Sequence, residues 1–451
     1  MIIHLRKPHV VGFGLLLLAS EALLILPPPA WALDGPQVIG FSGESTALAG
    51  AGMVAVADTS SMNTNPAALS LIQGSRFDLT PGILVPNTNH RDIFGNNTDG
   101  ENKPFALGNL GFATRLSSLP RLTIGGGIFT QGGFGTDMRN LTTAFGTVDQ
   151  TSSFLRYLKV AIALSYEVTD KLSIGIAPSL GYSDVSLRFF PNTSAPGFAG
   201  LDIRDTCARN GGLGKLDGTC PSDLIFSAKV GIMYKALSWL TVGASYTTPV
   251  TFNYTGGQAD VNLSAFGLGR VGYDVGVQGF RWPQQVDVSF AARPNDRTLV
   301  ALTTSWVNWS SFNSLTVNAS NPNNPFAPPQ ISLQVPFNWK DQVLVAIGGA
   351  YALIQDPSLK ERDRLILRAG YHYSNNPVPN DTLSPLAPVI LEHKLTAGFG
   401  YRFSDHWSTD ASLYYAFNNT VTYTNNSLPF GPNATESASG YYVFWTGTYR
   451  Y

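Results

Sequence analysis

The chain has 451 residues, 13% of them charged, 44% hydrophobic and 12% aromatic. That charged share is about half the usual one for a soluble domain, and the apolar content is too high for a disordered chain. A formal net charge of −1 leaves no basic excess of the kind that nucleic acid selects.

Taken from the N-terminus, the first segment reads as an address. Arg6 and Lys7 precede an apolar stretch from Val10 to Leu26, then Pro27-Pro28-Pro29 and Ala30-Trp31-Ala32. The last three fit the small-x-small rule for signal peptidase, so residues 1–32 are expected to be a signal peptide. A retained anchor is the alternative, disfavoured by Glu21 and the proline run. After Leu33 no run approaches the ~18 apolar residues of a spanning helix.

Residues 33–74 lack sustained alternation and are rich in small residues. From residue 75 onward the period is two. In Leu391–Phe403, Leu395, Ala397, Phe399, Tyr401 and Phe403 fall on one face, while Lys394, Thr396, Gly398, Gly400 and Arg402 fall on the other. Residues 224–234, 364–374 and 407–417 repeat this. A soluble sandwich could alternate likewise, but here the rings of Trp239, Trp306, Trp309, Tyr401, Phe403, Trp407, Tyr415 and Phe417 gather at segment ends. Such girdles mark the two interfaces of an outer-membrane barrel.

The fold class expected is therefore all-β, a transmembrane antiparallel β-barrel of fourteen strands over residues 75–451. The spans are 75–86, 105–116, 121–131, 153–167, 171–189, 223–236, 239–253, 272–292, 297–309, 340–353, 363–374, 391–403, 406–419 and 440–451. Short and long connections alternate, as periplasmic turns and outer loops do. The last span ends on Tyr451 with Tyr441, Val443, Trp445 and Tyr449 on its own face. Outer-membrane barrels characteristically end so, for the barrel assembly machinery to read. A barrel this wide needs filling, and residues 33–74 precede it as a candidate plug, with a periplasmic tail as the alternative.

Three groups of residues carry a resemblance. Gly40-Phe41-Ser42-Gly43-Glu44-Ser45 with Ala49-Gly50-Ala51-Gly52 and Asn65-Pro66-Ala67 is similar to the N-terminal hatch of the FadL/TodX family. Trp282-Pro283-Gln284-Gln285-Val286 with Trp306-Val307-Asn308-Trp309-Ser310-Ser311-Phe312 resembles that family's turn and strand end. His393-Lys394-Leu395-Thr396-Ala397-Gly398 with Gly400-Tyr401 is a weaker third match. The family consists of outer-membrane transporters of long-chain fatty acids and aromatic hydrocarbons. The resemblance spans nearly the whole chain after residue 32. It implies a hatch over residues 33–74, marked by Asn65, Pro66 and Ala67, within a monomeric barrel surrounded by outer-membrane lipid and lipopolysaccharide.

It further implies a passive route for a hydrophobic small molecule, with sideways exit beside a kinked third strand. Here that strand holds Gly125-Gly126-Gly127 and continues into Gly132-Gly133-Phe134-Gly135. Glycine inside a strand marks a bulge or bend, so these six glycines are the candidate gate; ordinary packing of bulky neighbours against them is the other reading. Phe41 and Phe134 are candidate apolar contacts. A fatty-acid carboxylate would seek a buried cation, and Lys159, Lys229 and Arg368 lie on the lumen side by parity, as do Lys394, Arg402 and Arg450. Phe189, Phe190, Phe198, Phe312 and Phe326 could form an outer capture surface.

Cys207 and Cys220 are the only cysteines and share one long loop of an exported chain, so a disulfide closing that loop is expected. No metal-ligand spacing or nucleotide motif is visible, and neither cofactor nor nucleic acid is implied. Long-chain fatty acids are the leading cargo. An aromatic hydrocarbon channel of the same fold, a general porin or structural barrel, and a barrel-wall enzyme are the alternatives.

Overall fold

The computed structural model describes residues 36–203 and 222–451. The expected signal peptide and the expected Cys207/Cys220 disulfide lie outside the described residues. Among the latter, one antiparallel sheet closes on itself.

Its wall begins with β1 (Ser75–Arg91), β3 (Phe105–Arg115), β4 (Leu122–Thr142), β5 (Val148–Glu167), β6 (Leu172–Ala195) and β8 (Ser222–Leu237). It continues through β9 (Leu240–Thr247), β12 (Gln285–Asn295), β13 (Thr298–Val307), β16 (Gln342–Gln355), β17 (Asp363–Ser374), β18 (His393–Arg402), β19 (Trp407–Tyr423) and β20 (Ala434–Arg450). β20 pairs back onto β1, with Phe77 opposite Tyr449 and Arg91 opposite Thr435. Six further strands build the outer rim: β2 (Asn97–Asp99), β7 (Phe198–Ile203), β10 (Val250–Asn262), β11 (Arg270–Trp282), β14 (Ser314–Ser320) and β15 (Gln330–Pro336).

The expected count of fourteen strands is thus corrected: the sheet contains twenty. Two causes are visible. Pro249 and Pro283 lack an N–H for the ladder, and there the expected spans 239–253 and 272–292 break, into β9 with β10 and β11 with β12. Beyond the membrane both faces of a hairpin meet polar surroundings, so the alternation fades. Residues 310–339, expected as loop, therefore hold β14 paired with β15, and the expected loop 190–222 contains β7.

Burial runs opposite to a soluble domain. Val160, Ile162, Leu164 and Tyr166 of β5 are exposed, whereas Lys159 and Ser165 between and beside them are buried. On β18, Leu395 and Phe399 face out while Lys394 and Thr396 are buried. Apolar side chains turned outward are stable only against lipid. Residues 36–74 lie inside this ring. α1 (Gly43–Ala47) begins at Ser42, whose side chain accepts from the Ser45 backbone N–H. α2 (Ser61–Thr64) is followed by a 3-10 turn over Pro66–Leu71, entered through Asn65, whose side chain accepts from Ala67 N.

Polar side chains of the wall take up this segment's backbone. Ala51 O accepts from Thr303 Oγ1 (2.9 Å), Ala47 O from Thr396 Oγ1 (2.9 Å) and Ala67 O from Ser165 Oγ (2.9 Å). Wall glycines allow the approach: a Cβ on Gly231 would strike Asn65 Oδ1, and one on Gly348 would lie 2.5 Å from Leu48 O.

Candidate functional site

The site grows from one irregularity in the wall. β3 and β4 pair from Arg115 opposite Thr123 to Asn109 opposite Phe129, and there the ladder stops. Yet β3 runs on to Phe105 and β4 to Thr142. β4 stays on β5 throughout, with a register shift between Thr130 and Gly132. Gly132 (φ 145°) and Gly133 (φ 157°) carry the bend in a backbone region that side chains rarely adopt.

Side chains close the last rung. Thr130 Oγ1 donates to Gly108 O (2.9 Å), and Asn109 Oδ1 accepts from Thr130 N (2.9 Å). Past that rung the N-terminal segment substitutes for β3. Val38 N donates to Gln131 O (3.0 Å), Gly133 N donates to Pro36 O (2.8 Å), and Gln37 bridges Gly132. Nearer the outer end Glu101 N donates to Asp137 O (2.9 Å), which bounds the interruption from the other side.

Two cavities open on this region. The outer, of about 210 Å³, is lined by Phe134, Leu155, Leu187, Tyr254, Phe280 and Phe337 among others, and no charged side chain is among its lining residues. It is framed by ring-on-ring contacts: Phe134 to Phe280 at 6.3 Å, Phe280 to Phe312 at 5.2 Å and Phe312 to Trp339 at 5.3 Å between centroids. The inner, of about 110 Å³, lies against the N-terminal segment and is lined by Gln37, Phe41, Lys159, Lys229, Trp282 and Asp287 among others.

Lys229 Nζ lies 3.4 Å from Asp287 Oδ2 and 3.1 Å from Thr64 O, so its charge is matched. Lys159 has no hydrogen bond or ion pair among the described residues. Its Nζ sits 5.9 Å from the Tyr157 ring centroid, and the residue is 94% buried, from an exposure of 6%. An ammonium in such a place is poised for an anion.

The residues singled out in the sequence are thereby sorted. Phe134 lines the outer cavity, and Phe41, Lys159 and Lys229 the inner. Arg368 joins neither. It pairs with Glu44 Oε1 (2.9 Å) and Asp410 Oδ1 (2.8 Å) and faces a third, polar cavity. Lys394 is buried beside Ser374 Oγ at 2.5 Å. Asn65, Pro66 and Ala67 form the 3-10 entry against Gly175 and Gly231. Gly125 faces Met62, and Gly126 and Gly127 lie in the regular β3–β4 ladder. Gly132 and Gly133 make the bend, and Gly135 pairs with Phe154 beyond it. Of the proposed capture residues, Phe189, Phe190 and Phe198 cluster together, Phe312 is buried under Trp339, and Phe326 is exposed.

Sequence reasoning missed Asp287, Gln131 and the Pro36–Val38 stretch. Only tertiary contact joins them to the site, although a carboxylate on an otherwise lumen-facing polar row could have pointed to Asp287. It also missed Asp341, which gathers the tryptophan motif. Its carboxylate accepts from Trp306 Nε1 (3.0 Å), Asn308 Nδ2 (3.1 Å) and Ser310 N (3.0 Å). Partial burial acts to raise the Asp341 pKa, but hydrogen bonds from Ser310, Asn308 and Trp306 outweigh it and hold the carboxyl below the usual range.

Comparison with solved structures finds this architecture elsewhere. The toluene transporter TodX of P. putida is 19% identical, with a TM-score of 0.73 over 92% of this chain and 99% of that one. The Ralstonia pickettii toluene transporter TbuX is 20% identical, with a TM-score of 0.70 over 92% and 99%. A Pseudomonas aeruginosa FadL homologue is 18% identical, with a TM-score of 0.73 over 92% and 99%. At these identities the likeness shows the fold. No curated protein sequence matches the chain. The family model described as outer membrane protein transport protein (OMPP1/FadL/TodX) matches residues 37–450. With lipid-facing apolar rows and a lumen that holds its own N-terminal segment, the chain belongs to the OMPP1/FadL/TodX family of outer-membrane transport channels for hydrophobic compounds.

Proposed function

We propose that the cargo is long-chain fatty acid and that it leaves sideways through the wall between β3 and β4. The observation that carries this reading is the outer cavity: a space of about 210 Å³ without a charged lining residue, beside the bend at Gly132 and Gly133. An alkyl chain gains roughly 0.8 kcal/mol per methylene on leaving water for such a lining. The carboxylate then finds Lys159 in the inner cavity, the cation left without a carboxylate partner there.

Residues 33–74 act as the hatch in this scheme. The Pro36–Val38 stretch closes the interrupted ladder, and its displacement would uncover the edge of β4 towards the bilayer. Passage runs down the solute's own gradient and requires no cofactor. The protein works as a monomer, since one ring encloses the whole route.

A second reading is favoured by the outer cavity's aromatic frame: uptake of monoaromatic hydrocarbons, the cargo named for TodX and TbuX. Uptake of labelled oleate and of labelled toluene, in cells with and without the gene, separates the two. Gene-dependent oleate uptake is expected. Toluene uptake alone would transfer the assignment to the second reading. Neither, together with large steady ion conductance of the pure protein, would revive a general porin.

A further inference from the structure

At the end of the barrel that carries the short turns, a third cavity of about 190 Å³ differs in kind from the other two. Six arginines and four carboxylates line it. Four of the arginines are paired. Arg76 meets Asp78 (2.9 Å), Arg368 meets Glu44 and Asp410, Arg364 meets Asp356 (2.5 Å), and Arg402 meets Glu361. Arg293 and Arg450 have no carboxylate at ion-pair distance among the described residues. Among the described residues the Arg293 side chain donates only to Ala55 O (3.4 Å) and that of Arg450 only to Ser408 Oγ (2.7 Å).

Register sharpens the imbalance. Arg450 lies directly across from Arg76 on the neighbouring strand, an arrangement in which like charges repel. Arg402 stands opposite Ser408, the residue that Arg450 contacts. Among the described residues the Nε groups of Arg368 and Arg402 are buried without an acceptor, although buried donors are ordinarily satisfied. Anchoring of the N-terminal segment explains Arg368, through Glu44. It gives Arg293 one long bond, to Ala55 O, with no carboxylate, and does not explain Arg450.

We propose that this cavity is an oxyanion site that takes a phosphate or carboxylate group among Arg293, Arg402 and Arg450. Planar guanidinium forks suit such oxygens, and the bound oxyanion would supply the acceptor that Arg402 Nε lacks. The occupant is either a free anion of the periplasm or the head of an anionic amphiphile. Lysine pocket and arginine cavity are separate places, so this inference stands whichever cargo the channel carries.

The full exported chain, purified in a non-ionic detergent, tests it by equilibrium dialysis with radiolabelled inorganic phosphate and, in a second arm, radiolabelled decanoate. Saturable binding is expected, weakened about tenfold or more by Arg293→Gln and by Arg450→Gln, as befits loss of a charge-assisted hydrogen bond. Phosphate binding that Arg293→Gln weakens identifies a free anion as a ligand. Decanoate binding that Arg293→Gln weakens identifies an amphiphile head. Heat-modifiable migration on gels reports barrel assembly, and if Arg450→Gln fails to assemble the Arg293→Gln arm decides alone. Absence of saturable binding in both arms, or affinity indifferent to Arg293→Gln in both, overturns the proposal.

Discussion

Lys159 and Lys229 share a cavity but not a circumstance. Lys229 is held by Asp287, Lys159 by no carboxylate among the described residues. Replacing Lys159 by Gln should therefore lower oleate uptake and leave toluene uptake unchanged, since only the fatty acid brings a negative head. Equal loss of both would make the residue structural. Asp341 offers a residue-scale test outside the membrane. Its pKa is depressed in the folded chain, so the stabilisation it provides is present above the unfolded carboxylate value of about 3.9. That contribution is lost as pH falls through the lower, folded value. Asp341→Asn should loosen the Trp306–Phe312 turn at neutral pH, seen as altered tryptophan emission, while the wild type keeps its spectrum until strongly acid pH. Lys159 was legible as lumen-facing from strand parity alone. Asp341 was not, because it sits just before β16 and reaches its partners only through the fold.

Among elements, β4 is where strand chemistry and route meet. Its ladder to β3 ends at Phe129, and Pro36–Val38 supplies hydrogen bonds in its place. A side chain at Gly133 would meet Leu155 O, and one at Gly132 would meet Pro36 O, both at backbone angles unfavourable for L residues. Gly132→Val is expected to cost about 1–3 kcal/mol of strain and overpacking, to displace the Pro36–Val38 stretch, and to change oleate uptake while the barrel still assembles. Unchanged uptake in an assembled Gly132→Val barrel would count against passage beside this strand. The glycine clusters drew attention to the strand from the sequence, yet they could not be ranked there. Gly126 and Gly127 turn out to sit in regular pairing, and Gly132 and Gly133 carry the bend, because the difference lies in φ and in what approaches from the other side.

The whole molecule is a polar-lined ring that faces lipid with its apolar rows and encloses its own N-terminal segment. Much of what holds that segment is backbone oxygen accepting from wall hydroxyls, with Thr303, Thr396 and Ser165 among the donors. Deleting residues 33–74 while keeping residues 1–32 should leave an assembled barrel with large, steady conductance in planar bilayers, against little conductance of the intact chain. Low conductance of the deletion variant would show that the strands and outer loops close the lumen unaided.

Period-two alternation, aromatic segment ends and scarce charge were sufficient to determine a lipid-facing β-barrel, because the pleat converts residue order directly into inside and outside. The strand count was beyond them. Above the membrane neither face needs to be apolar, so rim strands such as β2, β7, β14 and β15 leave little trace in hydrophobicity, and the two proline breaks divide spans that read as continuous. Which lysine is matched, where the β3–β4 ladder stops and how the arginines gather at the short-turn end depend on neighbours far apart in the chain. Arg76 faces Arg450, and Lys229 meets Asp287, only once the ring has closed. Tertiary structure decided those features, since charge matching depends on distance in space and the order of residues alone does not set it.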